Sequence, residues 1–303
     1  MKRSKAAAPI TKTQLNQLPD VLHQRIRGQK EVIQRVVDVV QRRETEVVPQ
    51  RGARGTMILA GPTGVGKTLL ALTLAQALFG PDRLVRIDCS EFKTLNSYEG
   101  LFGNRAGDEG RFGQAYAQVP EGIFLFDEIE KAHPEFVHLF LQAADAARLT
   151  LANGRVLSLE RIYLLLTTNV GSAGMIGREH LPFTSLENHV TRAIENWLRP
   201  ELLGRFGRPF VFRPLDRDTQ QQITQDCVEE IVQHNRALGR EITVHPSVIP
   251  FLACRGFSRR LGARPLQQVI EELVGNAIKS AVLRGETGSG TLIVSGDQLL
   301  LVP

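Results

Sequence analysis

Cysteine is scarce in this sequence and never paired. The 303 residues hold Cys89, Cys227 and Cys254, scattered, with no Cys-x-x-Cys spacing. That excludes a disulfide frame or a cysteine zinc site and fits a reducing compartment. No apolar run approaches the ~18–20 residues that a membrane-spanning helix needs, and the N-terminus lacks the apolar core of a secretory signal. A cytoplasmic protein without a membrane span is therefore expected. Excess charge of one sign is also missing over most of the chain. Lys2, Arg3, Lys5 and Lys12 stand among the first twelve residues with no acid, and setting those four aside from the 37 basic residues leaves 33 against 32 acidic ones. The formal charge of +5 thus belongs mostly to a short tail, read as a solvated, disordered end over residues 1–17. Nucleic acid is not an expected partner. Apolar residues make up 42 %, enough for a proper core.

From Asp20 the spacing of apolar residues predicts helix, broken by the polar stretch Gln50 to Gly55. Strands are predicted at Thr56 to Ala60, Leu84 to Asp88, Ile123 to Glu128, Arg161 to Asn169 and Arg208 to Phe212, with helices between them, one opening at Pro134. Asn153-Gly154, flanked by alternating apolar residues, signals a hairpin. The alternation predicts an α/β fold, a parallel sheet covered on both faces, over residues 18–214. After Pro214 long helices and two late strands predict a smaller α+β domain, residues 215–303.

The most specific motif is GPTGVGKT: Gly61, Pro62, Thr63, Gly64, Val65, Gly66, Lys67 and Thr68. It follows a predicted strand and opens a helix. Glycines let the backbone wrap a phosphate, and the helix N-terminus binds the anion. Lys67 reaches the outer phosphates and Thr68 places a hydroxyl on magnesium. Asp127 and Glu128 close a buried strand about sixty residues later. Asp127 is assigned to Mg2+ and Glu128 as the general base that polarises the attacking water. Asn169 ends the next apolar strand, where spacing alone leaves two readings: a strand-end cap, or an amide that orients the lytic water.

GPTGVGKT, DEIEKAHP (Asp127 to Pro134), TTN, RPELLGRF (Arg199 to Phe206) and LGARPL (Leu261 to Leu266) occur in this order. Together they resemble the second, C-terminal ATPase module of the ClpA/ClpB chaperones, within the AAA+ superfamily, here as a stand-alone module from about Leu18 to the end. The resemblance implies a P-loop NTPase with a three-layer parallel sheet and a small C-terminal lid, acting on ATP with Mg2+. It implies that Ile26 contacts the base and that Asn169 is the first sensor. Arg205 matches the arginine finger that reaches a neighbour's γ-phosphate, with Arg208 close enough to share that role. Arg264 matches the second sensor, carried on the small domain. These parts imply a ring, a hexamer by family habit, acting on a protein client.

The resemblance fails in one stretch. Where the family carries an aromatic loop of Gly-Tyr-Val-Gly type that grips extended polypeptide, this sequence reads GLFGNRAGDEGRFGQAY, Gly100 to Tyr116. It is about five residues shorter and lacks the tyrosine. Phe112 and Tyr116 are the nearby aromatics, either core or a substitute finger. The loop after the first sensor carries Ile176-Gly177-Arg178 where protease-docking relatives carry an apolar tripeptide, so a peptidase partner is not expected. The expectation is an ATPase that remodels a particular client. The alternatives are a general unfoldase, an ATP-gated scaffold and a nucleic-acid-linked ATPase.

Overall fold

The computed structural model describes residues 9–47, 52–104, 107–134, 136, 140, 143, 144, 146–178, 181–258, 260–285 and 287–303. The chain falls into two compact units, one running through Gly61 and from Gly66–Arg213, the other made of Pro62–Val65 and Pro214–Pro303.

The first unit is built on five strands: β1 (Gly55–Ala60), β2 (Leu84–Asp88), β3 (Gly122–Asp127), β6 (Ile162–Thr168) and β7 (Phe210–Val211). A separate hairpin pairs β4 (Arg148–Thr150) with β5 (Val156–Ser158) around Gly154, whose φ of +84° suits a hairpin turn. The sheet order is β2-β3-β6-β1-β7, with every neighbouring pair parallel. Every residue of β3 and β6 is buried, the condition that a continuous apolar run such as Ile-Phe-Leu-Phe meets in a sheet covered on both faces. Because all five strands run the same way, their carboxyl ends share one edge. That edge carries Gly61, Asp88, Asp127 and the residue after Thr168, and it is where ligands bind in open parallel sheets.

The core beneath that edge is aromatic. Phe112 is fully buried, with its ring centroid 5.1 Å from that of Phe124 and 5.6 Å from that of Phe102, and Phe126 meets Phe140 edge-on at 4.6 Å. Such pairs contribute about 0.5–1.5 kcal/mol each beyond the area they bury. Tyr116 packs half-buried against the same cluster on the helix Gly110–Gln118. Phe112 is thereby a core residue and no substitute finger.

Two boundaries differ from the sequence reading. The first helix is Lys12–Arg25, so the disordered tail read over residues 1–17 is wrong from Lys12 onward. A capping box causes the early start: the Thr11 hydroxyl accepts from the Gln14 amide at 3.2 Å, while Gln14 Oε1 accepts from the Thr11 amide at 2.9 Å. Residues 1–8 of that tail lie outside the described residues. The last strand of the sheet shrinks to Phe210–Val211. The helix read from Pro134 is described only at some positions, with Phe136, Phe140 and Ala143 in the core. The linker read at Gln50 to Gly55 is likewise described only from Gly52.

The second unit has its own core of Val228, Val248, Leu252, Leu266, Ile270, Val274, Leu292 and Leu301. Helices Arg217–Ala237, Val248–Gly256 and Leu266–Leu283 accompany a three-stranded sheet of order β10-β9-β8, made of β8 (Ile242–Val244), β9 (Gly290–Ser295) and β10 (Gln298–Val302). Asp216 starts the first of these helices by accepting from the Thr219 amide at 2.8 Å.

Candidate nucleotide site

The loop from Gly61 to Thr68 uses conformations that only glycine adopts easily. Gly61, Gly64 and Gly66 have φ of +145°, +72° and +105°. A Cβ on Gly61 would lie 2.6 Å from the Phe212 carbonyl oxygen. No side chain caps the helix Lys67–Phe79 that follows, so its first amides point toward the loop's hollow as an anion cradle. Ile26 is buried, its Cγ2 3.6 Å from where a Cβ on Gly66 would stand.

Lys67 is buried and holds the edge together. Its ammonium donates to the Gly61 carbonyl at 2.5 Å and to Asn169 Oδ1 at 2.9 Å. Asp127, also buried, accepts the Thr167 hydroxyl on Oδ1. Its Oδ2 receives Arg86 Nη2 at 2.6 Å and Nε at 3.0 Å and lies 3.5 Å from the Thr68 hydroxyl. One carboxylate and one hydroxyl converge there. That sparse donor set suits magnesium, which keeps several waters and takes phosphate oxygens as its other ligands. Among the described residues no group of three or more His, Cys, Asp and Glu forms an all-protein metal cage.

Glu128 sits in the left-handed region, φ 56° and ψ 51°, which is rare outside glycine. Its amide donates to Thr167 Oγ1 at 2.9 Å, so one hydroxyl serves both acidic residues. The turn aims the Glu128 side chain off the strand end, where Lys131 pairs with it. That hydrogen bond, ahead of the neighbouring charges, raises the Lys131 pKa above its ordinary value. Asn169 is held from both sides. Glu130 Oε1 accepts its backbone amide at 3.2 Å and its Nδ2 at 3.0 Å.

The structure thus brings Gly61, Gly66, Lys67, Thr68, Asp127, Glu128 and Asn169 to one edge. It also supplies four residues that motif reading missed: Arg86, Thr167, Glu130 and Lys131. Glu130 and Lys131 lay inside the quoted DEIEKAHP, and Thr167 inside TTN. Arg86 was signalled only by strand alternation, which puts it on the same face as Asp88.

The two arginines near the end of the first unit differ. Arg208 is held by Glu187 at 3.0 Å and Asn188 at 3.2 Å, and Glu187 also binds Arg35 at 2.9 Å. Arg205 is exposed in the last turn of the helix Pro200–Phe206, whose end is fixed by the Thr56 hydroxyl on the Arg205 carbonyl at 3.2 Å. In the second unit Arg264 is exposed just before the helix Leu266–Leu283.

In the segment lacking the aromatic finger, backbone bonds join the residues described on either side of Arg105 and Ala106. Asn104 and Gly107 join by an amide–carbonyl bond of 3.3 Å, and Asn104 N donates to the Asp108 carbonyl at 3.2 Å. Gly103 and Gly110 have φ of +83° and +62°. A Cβ on Gly103 would lie 1.8 Å from the Asp108 carbonyl oxygen, and one on Gly110 would lie 2.4 Å from that of Leu101. Arg105 and Ala106 lie outside the described residues.

A parallel sheet of this order, with a glycine loop opening a helix and an Asp-Glu pair ending the next strand but one, defines a P-loop ATPase of the AAA type. Residues 53–208 match the family described as AAA domain (Cdc48 subfamily), and residues 213–294 match the C-terminal, D2-small domain of ClpB protein. The chain belongs to the AAA family of ATPases, with the domain pair of a C-terminal ClpA/ClpB-like module. Chaperone protein ClpB 1 of Synechococcus elongatus is 35 % identical over 284 residues, 91 % of this chain and 32 % of the relative. Chaperone protein ClpB of Meiothermus ruber is 34 % identical over 93 % of this chain and 34 % of its own length. This chain therefore spans about a third of these relatives. A chain in the closed-state cryo-EM reconstruction of Hsp104 with ATPγS and FITC casein superposes with a TM-score of 0.83 at 28 % identity, covering 96 % of this chain and 52 % of that one.

Proposed function

We propose that this chain hydrolyses ATP in a ring of identical copies, a hexamer by family habit, and uses the cycle to remodel a particular protein client. The observation that supports this reading is the meeting of Lys67, Thr68, Asp127, Glu128 and Asn169 at one sheet edge, together with a segment Gly103–Gly110 whose sequence holds no aromatic residue. In this reading the loop amides and Lys67 bind the phosphates. Thr68 and Asp127 hold Mg2+, which supplies charge neutralisation on the phosphate oxygens when bound. Glu128 takes the proton of the attacking water, and Asn169 orients that water. Arg205, exposed in the last turn of the helix Pro200–Phe206, reaches the neighbouring copy's γ-phosphate and ties turnover to assembly. Arg264 serves as the second sensor, and Ile26 lines the base. A cytoplasmic location goes with this reading. Among the described residues no helix is long and apolar enough to cross a membrane.

The second reading is a general Clp-type unfoldase. It is favoured by the ClpB relatives and by the Hsp104 assembly with FITC casein. A substrate trap separates the two. Tagged Glu128→Gln protein, held in ATP in its native host, is purified beside Lys67→Ala. One or a few partners in fixed ratio, absent from the Lys67→Ala sample, support a dedicated client. A broad set of unrelated proteins supports the unfoldase and overturns the first reading.

A further inference from the structure

We propose that Glu130 is a positioning residue, holding the Asn169 carboxamide so that its oxygen, not its nitrogen, faces the phosphate loop. The inference rests on the reading of Asn169 as the group that orients the attacking water.

A carboxamide can turn over by 180° with little change in shape, exchanging a donor for an acceptor. At Asn169 both ends are decided by their partners. An ionised carboxylate has no donor, and Glu130 Oε1 takes Asn169 Nδ2 at 3.0 Å. An ammonium has no acceptor, and Lys67 gives to Asn169 Oδ1 at 2.9 Å. These two constraints have different lifetimes. Lys67 turns to phosphate oxygens when nucleotide binds, and its hold on Oδ1 weakens at the moment when orientation matters. Glu130 lies within the short 3-10 turn Ile129–Lys131, two residues past Glu128, and its grip does not depend on Lys67. It also accepts the Asn169 backbone amide at 3.2 Å, which fixes the main chain at the strand end. Among the described residues its other oxygen, Oε2, is buried without a hydrogen-bond partner, a costly state for an acceptor. The Glu130 carboxylate is thus turned toward Asn169 at the expense of its own second oxygen.

The chemical consequence concerns the water. With Oδ1 presented, Asn169 and Glu128 are both acceptors, and a water between them gives one O–H to each. Its lone pair is then left to face phosphorus, and the proton it loses goes to Glu128. A turned-over carboxamide would offer N–H to the water oxygen and occupy that lone pair.

The test is a double-mutant cycle on the full chain with Glu130→Leu, which removes the acceptor, Glu130→Gln, which keeps one, and Asn169→Ala. ATPase rates, KM, affinity for a fluorescent ATP analogue and melting temperature are measured for each, together with solvent exchange of the Asn169 side-chain amide by 15N NMR. Glu130→Leu is expected to lower kcat at least tenfold, with analogue affinity within about threefold, and to speed that exchange. Glu130→Gln is expected to retain at least a third of the parent kcat. Added to Asn169→Ala, Glu130→Leu is expected to cost nothing more. If Glu130→Leu does not fold, Glu130→Ala runs the same cycle. The proposal is overturned if Glu130→Leu turns over at the parent rate, if Glu130→Gln falls as far as Glu130→Leu, or if the two losses multiply. Asn169→Ala at the parent rate would instead sink the reading of Asn169 itself.

Discussion

The nucleotide edge and the Gly103–Gly110 segment are built differently over the same core. At the edge, every side chain that matters is tied to another: Lys67 to Asn169, Asn169 to Glu130, Asp127 to Thr167 and Arg86. In the described part of the loop, backbone bonds and two left-handed glycines combine with the Asp108 carboxylate, which accepts the Gly110 amide at 3.0 Å, and with the Glu109–Arg155 pair. The edge keeps the residue types that phosphate chemistry demands. The segment departs from the aromatic gripping sequence. On the proposed reading, hydrolysis and client contact can change independently, the first resting on the side chains of the sheet edge and the second on the segment Gly103–Gly110.

The comparison is broken most strongly at the base. Glu128→Gln is expected to cut ATP turnover by about 10²–10⁴-fold, the usual contribution of a positioned general base, with nucleotide still bound. A parent rate in a phosphate-release assay would remove Glu128 from the chemistry. Phe112→Ala should cost about 3–5 kcal/mol of stability, as for any fully buried aromatic. Thermal unfolding checks this, and an unchanged melting temperature would reopen Phe112 as a surface finger. Gly103→Ala forces a Cβ into the Asp108 carbonyl at a left-handed backbone position, a strain of about 1–3 kcal/mol. The expected result is lost client capture in the Glu128→Gln background with basal ATPase retained in the parent background. Equal loss of both would mean that the loop and the edge are one device.

Smaller effects sharpen the contrast. Lys131→Gln releases the Glu128 side chain from an exposed ion pair worth about 0.2–1 kcal/mol. At about 1.4 kcal/mol per tenfold, kcat/KM should rise by no more than about fivefold. Thiol labelling gives the least perturbing probe. Burial, before the nearby carboxylates, pushes the Cys89 thiol far up, and burial pushes Cys227 up to about 11. Cys254 is exposed. Alkylation should take Cys254 first, Cys227 slowly and Cys89 last, and early modification of Cys89 would show that the core joining loop and edge opens readily.

Much of this was legible in the sequence for identifiable reasons. Phosphate binding requires glycines and a lysine at fixed spacing, so Gly61 to Thr68 announced itself. Strands buried on both faces read as apolar runs, so β3 and β6 were predicted to within a residue. The supporting residues were not legible. Glu130 and Lys131 look like an ordinary charged turn until the left-handed Glu128 aims each at its partner. Arg86 meets Asp127 only through the register that sets Asp88 beside Asp127, which no local pattern states. The helix start at Lys12 was missed because basic residues near a terminus suggest a tail, while the Thr11–Gln14 capping box is a quieter signal.

The strand order carries a consequence for how the chain comes to exist. β1 is made early, yet both of its neighbours, β6 and β7, come more than a hundred residues later in the chain. At synthesis rates of ~5–20 residues per second, β1 emerges about 5–20 s before β6 is complete. Throughout that interval Met-Ile-Leu-Ala has no strand to pair with, and neither terminus of the sheet can stand in, because parallel pairing cannot be closed by a local hairpin. Folding of the first unit is therefore dominated by non-local contacts, which makes it slow and leaves an apolar strand unpaired while it proceeds.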